Sequence, residues 1–449
     1  MQITNAILEQ ALGACSCPTF AASRVAIDSR LVIDGDLFVA IRAGNAFVND
    51  ALMNGAVMAI VDDAKYIVDG KTVLVKDSLT ALKSIGNYAK TRANPKLLVG
   101  ITGSVGKTTT KQWLSSVLSK RFNVVSSAGN YNTIYGMPIC LAGLDDSSDY
   151  GVFEIGSNNP GEVSELSTYL NPDIGVITAI CEAHIGKFGT MADIAREKIS
   201  IMDGIKDGGA VVYDGDLERA SEIRTRASLR NAHCISVGFG SNCDFYVKAQ
   251  HGNNINLHTP IGPIEYQISA AGKHFAYISA CVIAIMYAMK INPMDFLEYF
   301  GDLTPVVGRG VMERCCMNGI EFALIDDSYN ANPTSVMAAL DTLDALESPS
   351  KIVVLGQMRE LGDYTMSYHK LIAEKLYSML LQQIFFIGDR LLFDIMRSAG
   401  PTVCFETTDD MAARAVIQSI QRNSVVLLKG SRSASLERII SRIHRYCMG

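Results

Sequence analysis

Residues 97–118 read LLVGITGSVGKTTTKQWLSSVL, and no other stretch narrows the possible folds as far. Leu97 to Thr102 is apolar and β-branched, the composition of a buried strand. Trp113, Val117 and Leu118 are spaced for one face of a helix over residues 108–118. Between strand and helix, Gly103 and Gly106 permit a sharp turn that points several backbone N–H groups at one anion. Lys107 adds a positive charge, and Thr108 offers a hydroxyl to a magnesium ion. The helix N-terminus supplies further partial positive charge. A strict nucleotide loop has a glycine five residues before its second glycine, and Ile101 stands there instead. The order of strand, loop, Gly-Lys-Thr and helix is kept. The spacing predicts phosphate binding on a βα unit, with an ordinary glycine-containing turn as the competing reading.

Such a unit belongs in a parallel α/β sheet, and the chain is long enough for several. Its 449 residues suggest three domains at about 150 residues each. Hydrophobic residues make up 48% and charged residues only 19%, which supports packed cores and excludes a disordered chain. A net charge of −6 without Lys/Arg runs argues against a nucleic-acid partner. The eleven cysteines include Cys15, Cys17 and the adjacent Cys315 and Cys316, with no C-x-x-C pair. The first residues lack a basic leader, and Glu9 interrupts what a signal peptide would keep apolar. Reduced cysteines in a cytoplasmic protein account for both features. The longest apolar stretch, 277–289, is too short to span a bilayer and reads as a buried helix, so no membrane partner is expected.

Residues 1–95 form short strands and helices that end at Ala93-Asn94-Pro95, a linker. From Lys96 strands and helices alternate, with apolar runs at 150–155, 173–180 and 210–213, which predicts a mostly parallel sheet. Two alternating runs within 243–269 predict antiparallel hairpins appended to it. A third α/β unit covers 308–449, with strands at 323–326, 352–356, 384–388 and 425–429. Each of these strands ends in a polar or glycine-rich cluster, and open α/β sheets place ligands at such ends.

Three further residues carry candidate chemistry. Glu154 ends a strand in the unit of the phosphate loop, where it can hold magnesium or cap the next turn. His184 also follows a strand, in a structural or a functional role. Lys198 sits on a helix, where a solvated charge is the ordinary reading.

The segments GITGSVGKTTTK, FEIGSNNPGEVSEL, ITAICEAHIGKFGTMADIAREK, GRG, DDSYNANPTSVMAAL, LGQMRELGDYTMSYH and LLKGSR occur here in the order found in the Mur ligases. The chain resembles that family over essentially its whole length. DDSYNANP and LGxMxELG are most similar to the branch that adds D-alanyl-D-alanine to UDP-N-acetylmuramoyl-tripeptide. AIDSRLVIDGDLFVAI resembles that branch's uridine-nucleotide domain.

The resemblance implies an N-terminal uridine-nucleotide domain (1–95), a central ATPase domain (96–307) and a Rossmann-like C-terminal domain (308–449). It implies an ATP-dependent amide ligase of peptidoglycan precursor synthesis, working through an acyl phosphate as a cytoplasmic monomer. Gly103, Ser104, Val105, Gly106, Lys107, Thr108 and Thr109 would cradle ATP phosphates, with Lys107 on the transferred group. Thr108 would hold the first magnesium ion and a carbamylated Lys198 the second, and Glu154 and His184 would serve the metals. Arg309, Asn330 and Asn332 would approach the nucleotide, and Asp28, Ser29 and Arg30 the uridine end. This chain departs from the family pattern at Thr133, Ile134, Ser200, Ile278 and Gln357, and in a shortened loop at IRAGNAFVN. A GTPase switch is excluded by the lack of D-x-x-G and N-K-x-D after the loop. Folylpolyglutamate synthase, a related ligase, is disfavoured by DDSYNANP and by the domain preceding the loop.

Overall fold

The computed structural model describes residues 2–13, 18–397 and 401–448; Cys15 and Cys17 lie outside the described residues. Three parallel or mixed sheets follow one another along the chain. The first is a four-stranded parallel sheet of Arg24–Ala26, Asp36–Val39, Met58–Val61 and Thr72–Leu74, in chain order. Helix Ser78–Ala93 packs Ala81, Leu82 and Ile85 into that sheet's core. It stops at Asn94, which takes the left-handed conformation (φ 42°) just before Pro95. A left-handed asparagine followed by proline is a common helix stop.

The second sheet has nine strands, and Leu97–Thr102 lies deep inside it, between Tyr150–Glu154 and Ile174–Ile177. All three run parallel, so their carboxyl ends open on one edge. On one flank, Phe245–His251, Asn254–His258 and Ile264–Gln267 pair antiparallel, as the alternating runs predict. The apolar stretch expected as a buried helix is helix Lys273–Ala288. It packs beside the phosphate-loop helix Lys107–Leu118, where Phe275 stacks on Trp113 at 5.6 Å between ring centroids.

The third sheet has six strands. Four are those expected from the sequence, three lengthened and the third shifted by one residue: Ile320–Asp327, Ser350–Gly356, Gln383–Ile387 and Ser424–Lys429. The two edge strands, Val311–Met317 and Thr402–Phe405, were not expected. Buried central strands of parallel sheets read as apolar runs, whereas an edge strand such as VMERCCM carries charges that hide it.

A buried polar pair braces this last unit. His369 and Asp389 are both almost fully buried, and the His369 ring lies 3.1 Å from the Asp389 carboxylate. Asp389 also caps helix Arg390–Met396 by accepting from the Leu392 N–H. Burial opposes charging of His369, but the Asp389 carboxylate outweighs it and raises the pKa above the ordinary value. The raised value means that this stabilisation is complete below the unfolded pKa near ~6.5 and is lost as pH rises through the folded value. Denaturant unfolding across that window should therefore show the wild type losing stability with rising pH more steeply than Asp389→Asn. Parallel profiles would contradict the pairing.

Candidate active site

The phosphate loop is shaped from behind by the segment that follows Ile174–Ile177. Gly103 has φ +142°, and a Cβ there would lie 2.1 Å from the Thr178 hydroxyl oxygen. The Thr178 hydroxyl donates to the Val105 carbonyl at 2.5 Å, and the Ser104 hydroxyl donates to the Cys181 carbonyl at 2.9 Å. Ile278, a departure from the family pattern, packs within 3.9 Å of where a side chain on Gly106 would begin. We expect Gly103→Ala to cost about 1–3 kcal/mol of stability, from the strained backbone and the clash, and to abolish nucleotide binding. Denaturant unfolding and titration with ADP check both; wild-type ADP affinity in the variant would contradict it.

Lys107 folds back over the loop, donating from Nζ to the Gly103 carbonyl at 2.6 Å. Burial lowers its pKa, with the Glu154 carboxylate opposing. Thr108, one residue on, donates its hydroxyl to Glu154 Oε2 at 2.8 Å. Asn132 Nδ2 donates to the other Glu154 oxygen, also at 2.8 Å, and Glu154 is only 3% exposed. A hydroxyl and a carboxylate in contact beside a phosphate cradle form the hard oxygen set that suits magnesium. Thr109 is buried in the first helical turn.

Lys198 departs from the reading of a solvated charge: it is 3% exposed. Helix Met191–Ile199 turns it inward, where its Nζ donates to the Ser157 hydroxyl at 2.6 Å. Burial, with the nearby Lys107 charge adding to it, pulls its pKa down to about 7. Ser200 spends its hydroxyl on the Glu197 carbonyl of the same helix. Glu197 accepts from the N–H groups of Gly161 and Val163, at the start of helix Glu162–Leu170.

His184, with φ 60°, pairs through its ring with Glu360 of the third unit, and no hydrogen bond joins it to Thr108 or Glu154. Burial lowers its pKa and the Glu360 carboxylate pulls it back up. Lys187 adds an ion pair to Glu360 at 2.9 Å. The backbones clasp here: Gly186 N–H donates to the Glu360 carbonyl at 2.8 Å, and a Cβ on Gly186 would lie 2.7 Å from Gly362 N. Asn332 docks nearby. Its Oδ1 caps helix Pro333–Ala345 by accepting from the Ser335 N–H, and its Nδ2 faces Cys181 Sγ at 3.9 Å. Asn330 is exposed, with its carbonyl accepting from Lys429 Nζ at 2.7 Å. Arg309 lies over the Tyr329 ring at 4.3 Å, close enough for its charge to depress the Lys107 pKa.

Asp28, Ser29 and Arg30 form a turn after strand Arg24–Ala26 in the first unit. The Asp28 carboxylate accepts from the Arg30 side chain and backbone, which holds its pKa at about 2. No hydrogen bond or ion pair connects this turn to the phosphate loop.

Lys111 is a residue that sequence reasoning passed over. It is 5% exposed and donates to the Ser127 carbonyl at 2.5 Å, bracing the loop that carries Asn132. Its position four residues after Lys107, on the same helical face, was the available signal. Glu360 and Asn132 were missed as well, because their roles depend on contacts distant in sequence.

The Mur ligase middle-domain profile matches residues 101–286, and the Mur ligase glutamate ligase domain profile matches residues 312–432. The chain belongs to the Mur ligases. Among Mur ligases it is 28% identical to the UDP-N-acetylmuramoyl-tripeptide–D-alanyl-D-alanine ligase of Rickettsia prowazekii, covering 96% of this chain and 98% of that one. The Bacillus subtilis ligase of the same name is also 28% identical, over 93% and 92%. A crystal structure of MurF from Acinetobacter baumannii superposes with a TM-score of 0.87 at 28% identity, covering 99% of both chains. The α/β architecture seen here is therefore that of a Mur ligase throughout.

Proposed function

We propose that this Mur ligase joins D-alanyl-D-alanine to UDP-N-acetylmuramoyl-tripeptide at the expense of ATP, in the cytoplasm and as a monomer. The observation that carries the reading is the Thr108–Glu154 contact beneath a glycine-built phosphate cradle, with the Lys198 amine buried close by and its pKa pulled down to about 7. Full-length likeness to ligases of that name supports the choice of substrates.

A free carboxylate is a poor acyl donor, because its leaving group would be oxide. Transfer of the γ-phosphoryl group to the tripeptide carboxylate releases ADP and gives an acyl phosphate. The dipeptide amine then attacks the carbonyl carbon, a proton leaves the nitrogen, and the tetrahedral adduct expels phosphate to give the amide. The protein aligns the reactants and neutralises charge. Residues 103–109 hold the phosphates by backbone N–H groups, and the Lys107 ammonium answers the transferred group. Thr108 and Glu154 would hold one magnesium ion, and His184 with Lys198 a second; bound magnesium supplies charge neutralisation on the phosphates. For that role Lys198 is carbamylated: its neutral amine adds to carbon dioxide and loses a proton, turning a cation into a carboxylate-like ligand. Arg309, Asn330 and Asn332 face the nucleotide from 308–449. Asp28, Ser29 and Arg30 hold the uridine end within 1–95, so remote binding energy places the carboxylate beside ATP held in 96–307. ADP release that requires both the UDP-muramoyl-tripeptide and D-alanyl-D-alanine tests the reading; release unaffected by omitting either would overturn it.

A further inference from the structure

The edge strand Val311–Met317 alternates its side chains, so Glu313 and Cys315 share the face turned inward while Arg314 and Cys316 face out. Helix Glu437–Met448 packs on that inner face through Ile439, Ile440 and Ile443. His444 and Cys447, three residues apart on this helix, meet Glu313 and Cys315 there. His444 Nε2 lies 2.5 Å from Glu313 Oε1, and the ligand atoms of Glu313, Cys315 and His444 all lie within 4.8 Å of one another. The Cys447 thiol lies beside that of Cys315. All four residues are partly buried, and none belongs to the phosphate-loop site.

We propose that Glu313, Cys315, His444 and Cys447 bind one zinc ion, which clips the C-terminal helix to the sheet edge. Two sulfur ligands, an imidazole and a carboxylate are the donors that zinc takes in tetrahedral sites. Zinc–ligand bonds of about 2.0–2.3 Å place donors roughly 3.3–3.8 Å apart, so the Glu313 and His444 donors open slightly from 2.5 Å, the Cys315 sulfur closes in from within 4.8 Å, and Cys447 turns in to complete the set. The same set is wrong for magnesium, which demands oxygen donors in octahedral geometry, so the two ions sort to different sites. Without metal, burial and then the neighbouring Glu313 carboxylate push the Cys315 thiol up to about 12. Zinc binding therefore displaces a proton from each thiol.

Cobalt is the spectroscopic probe. The reduced full-length chain, loaded with cobalt(II), should show a sulfur-to-cobalt charge-transfer band and the intense visible bands of a tetrahedral site, displaced by one equivalent of zinc. The double variant Cys315→Ser/Cys447→Ser should lose the charge-transfer band, and His444→Ala should weaken binding; all should keep wild-type ligase turnover, which shows that they fold. In a second readout, zinc should protect Cys315 and Cys447 from alkylation while the exposed Cys316 is still modified. A cobalt spectrum without a thiolate band, a band that survives in the double variant, or equal alkylation with and without zinc would overturn the proposal.

Discussion

Lys107→Ala is expected to lower ligase turnover by at least two orders of magnitude while leaving the fold intact. The side chain is half-buried and spends its hydrogen bonds on the carbonyls of Gly103 and Ser104, so its removal leaves no cavity in an apolar core. In the proposed reaction, its charge meets the transferred phosphoryl group. Loss of one preorganised charge-stabilising group commonly raises a barrier by about 3 kcal/mol or more. Steady-state ADP formation, with circular dichroism to verify folding, checks this. A folded variant with near-wild-type turnover would remove the phosphate-loop assignment.

Lys198→Ala should be comparably impaired, for a different reason. A buried ammonium repels magnesium, whereas a carbamate attracts it. The folded pKa of about 7 lies far below the ordinary lysine value because of burial and the adjacent Lys107 charge. The neutral, carbon-dioxide-reactive amine therefore becomes the main form as pH rises through about 7, and carbamylation should rise with it. The same shift means that burying the charged form costs stability at low pH, a cost relieved as pH rises above the folded pKa. Acetate or formate should partly restore turnover in Lys198→Ala by standing in for the missing carboxylate. Full activity in that variant without any additive would refute the role.

These two lysines mark the boundary of what can be read without a fold. Lys107 is legible because strand, turn and helix start are local: Gly103, Gly106 and Thr108 lie within six residues of one another. The three successive sheets are legible for a similar reason, since central parallel strands are continuous apolar runs. Lys198 is not. Its helical pattern places a cation among polar neighbours, and only packing against Phe188 and Ser157 shows that the side chain is buried. Lys111 is hidden in the same way. Glu360 meets His184 across 176 residues of chain, a distance that periodicity does not bridge. The short turn holding Asp28 and Arg30 is visible in both sequence and structure, yet its ligand is read from resemblance, because a self-paired Asp–Arg turn does not specify uridine.

Product mass identifies the two substrates. The purified chain should be incubated with ATP, magnesium, UDP-N-acetylmuramoyl-tripeptide and D-alanyl-D-alanine, beside a parallel reaction given tetrahydrofolate and glutamate. The expected result is a UDP-muramoyl product heavier by two alanyl residues, one ADP per product, and no extension of the folate. A glutamate-extended folate with no pentapeptide formed would contradict it.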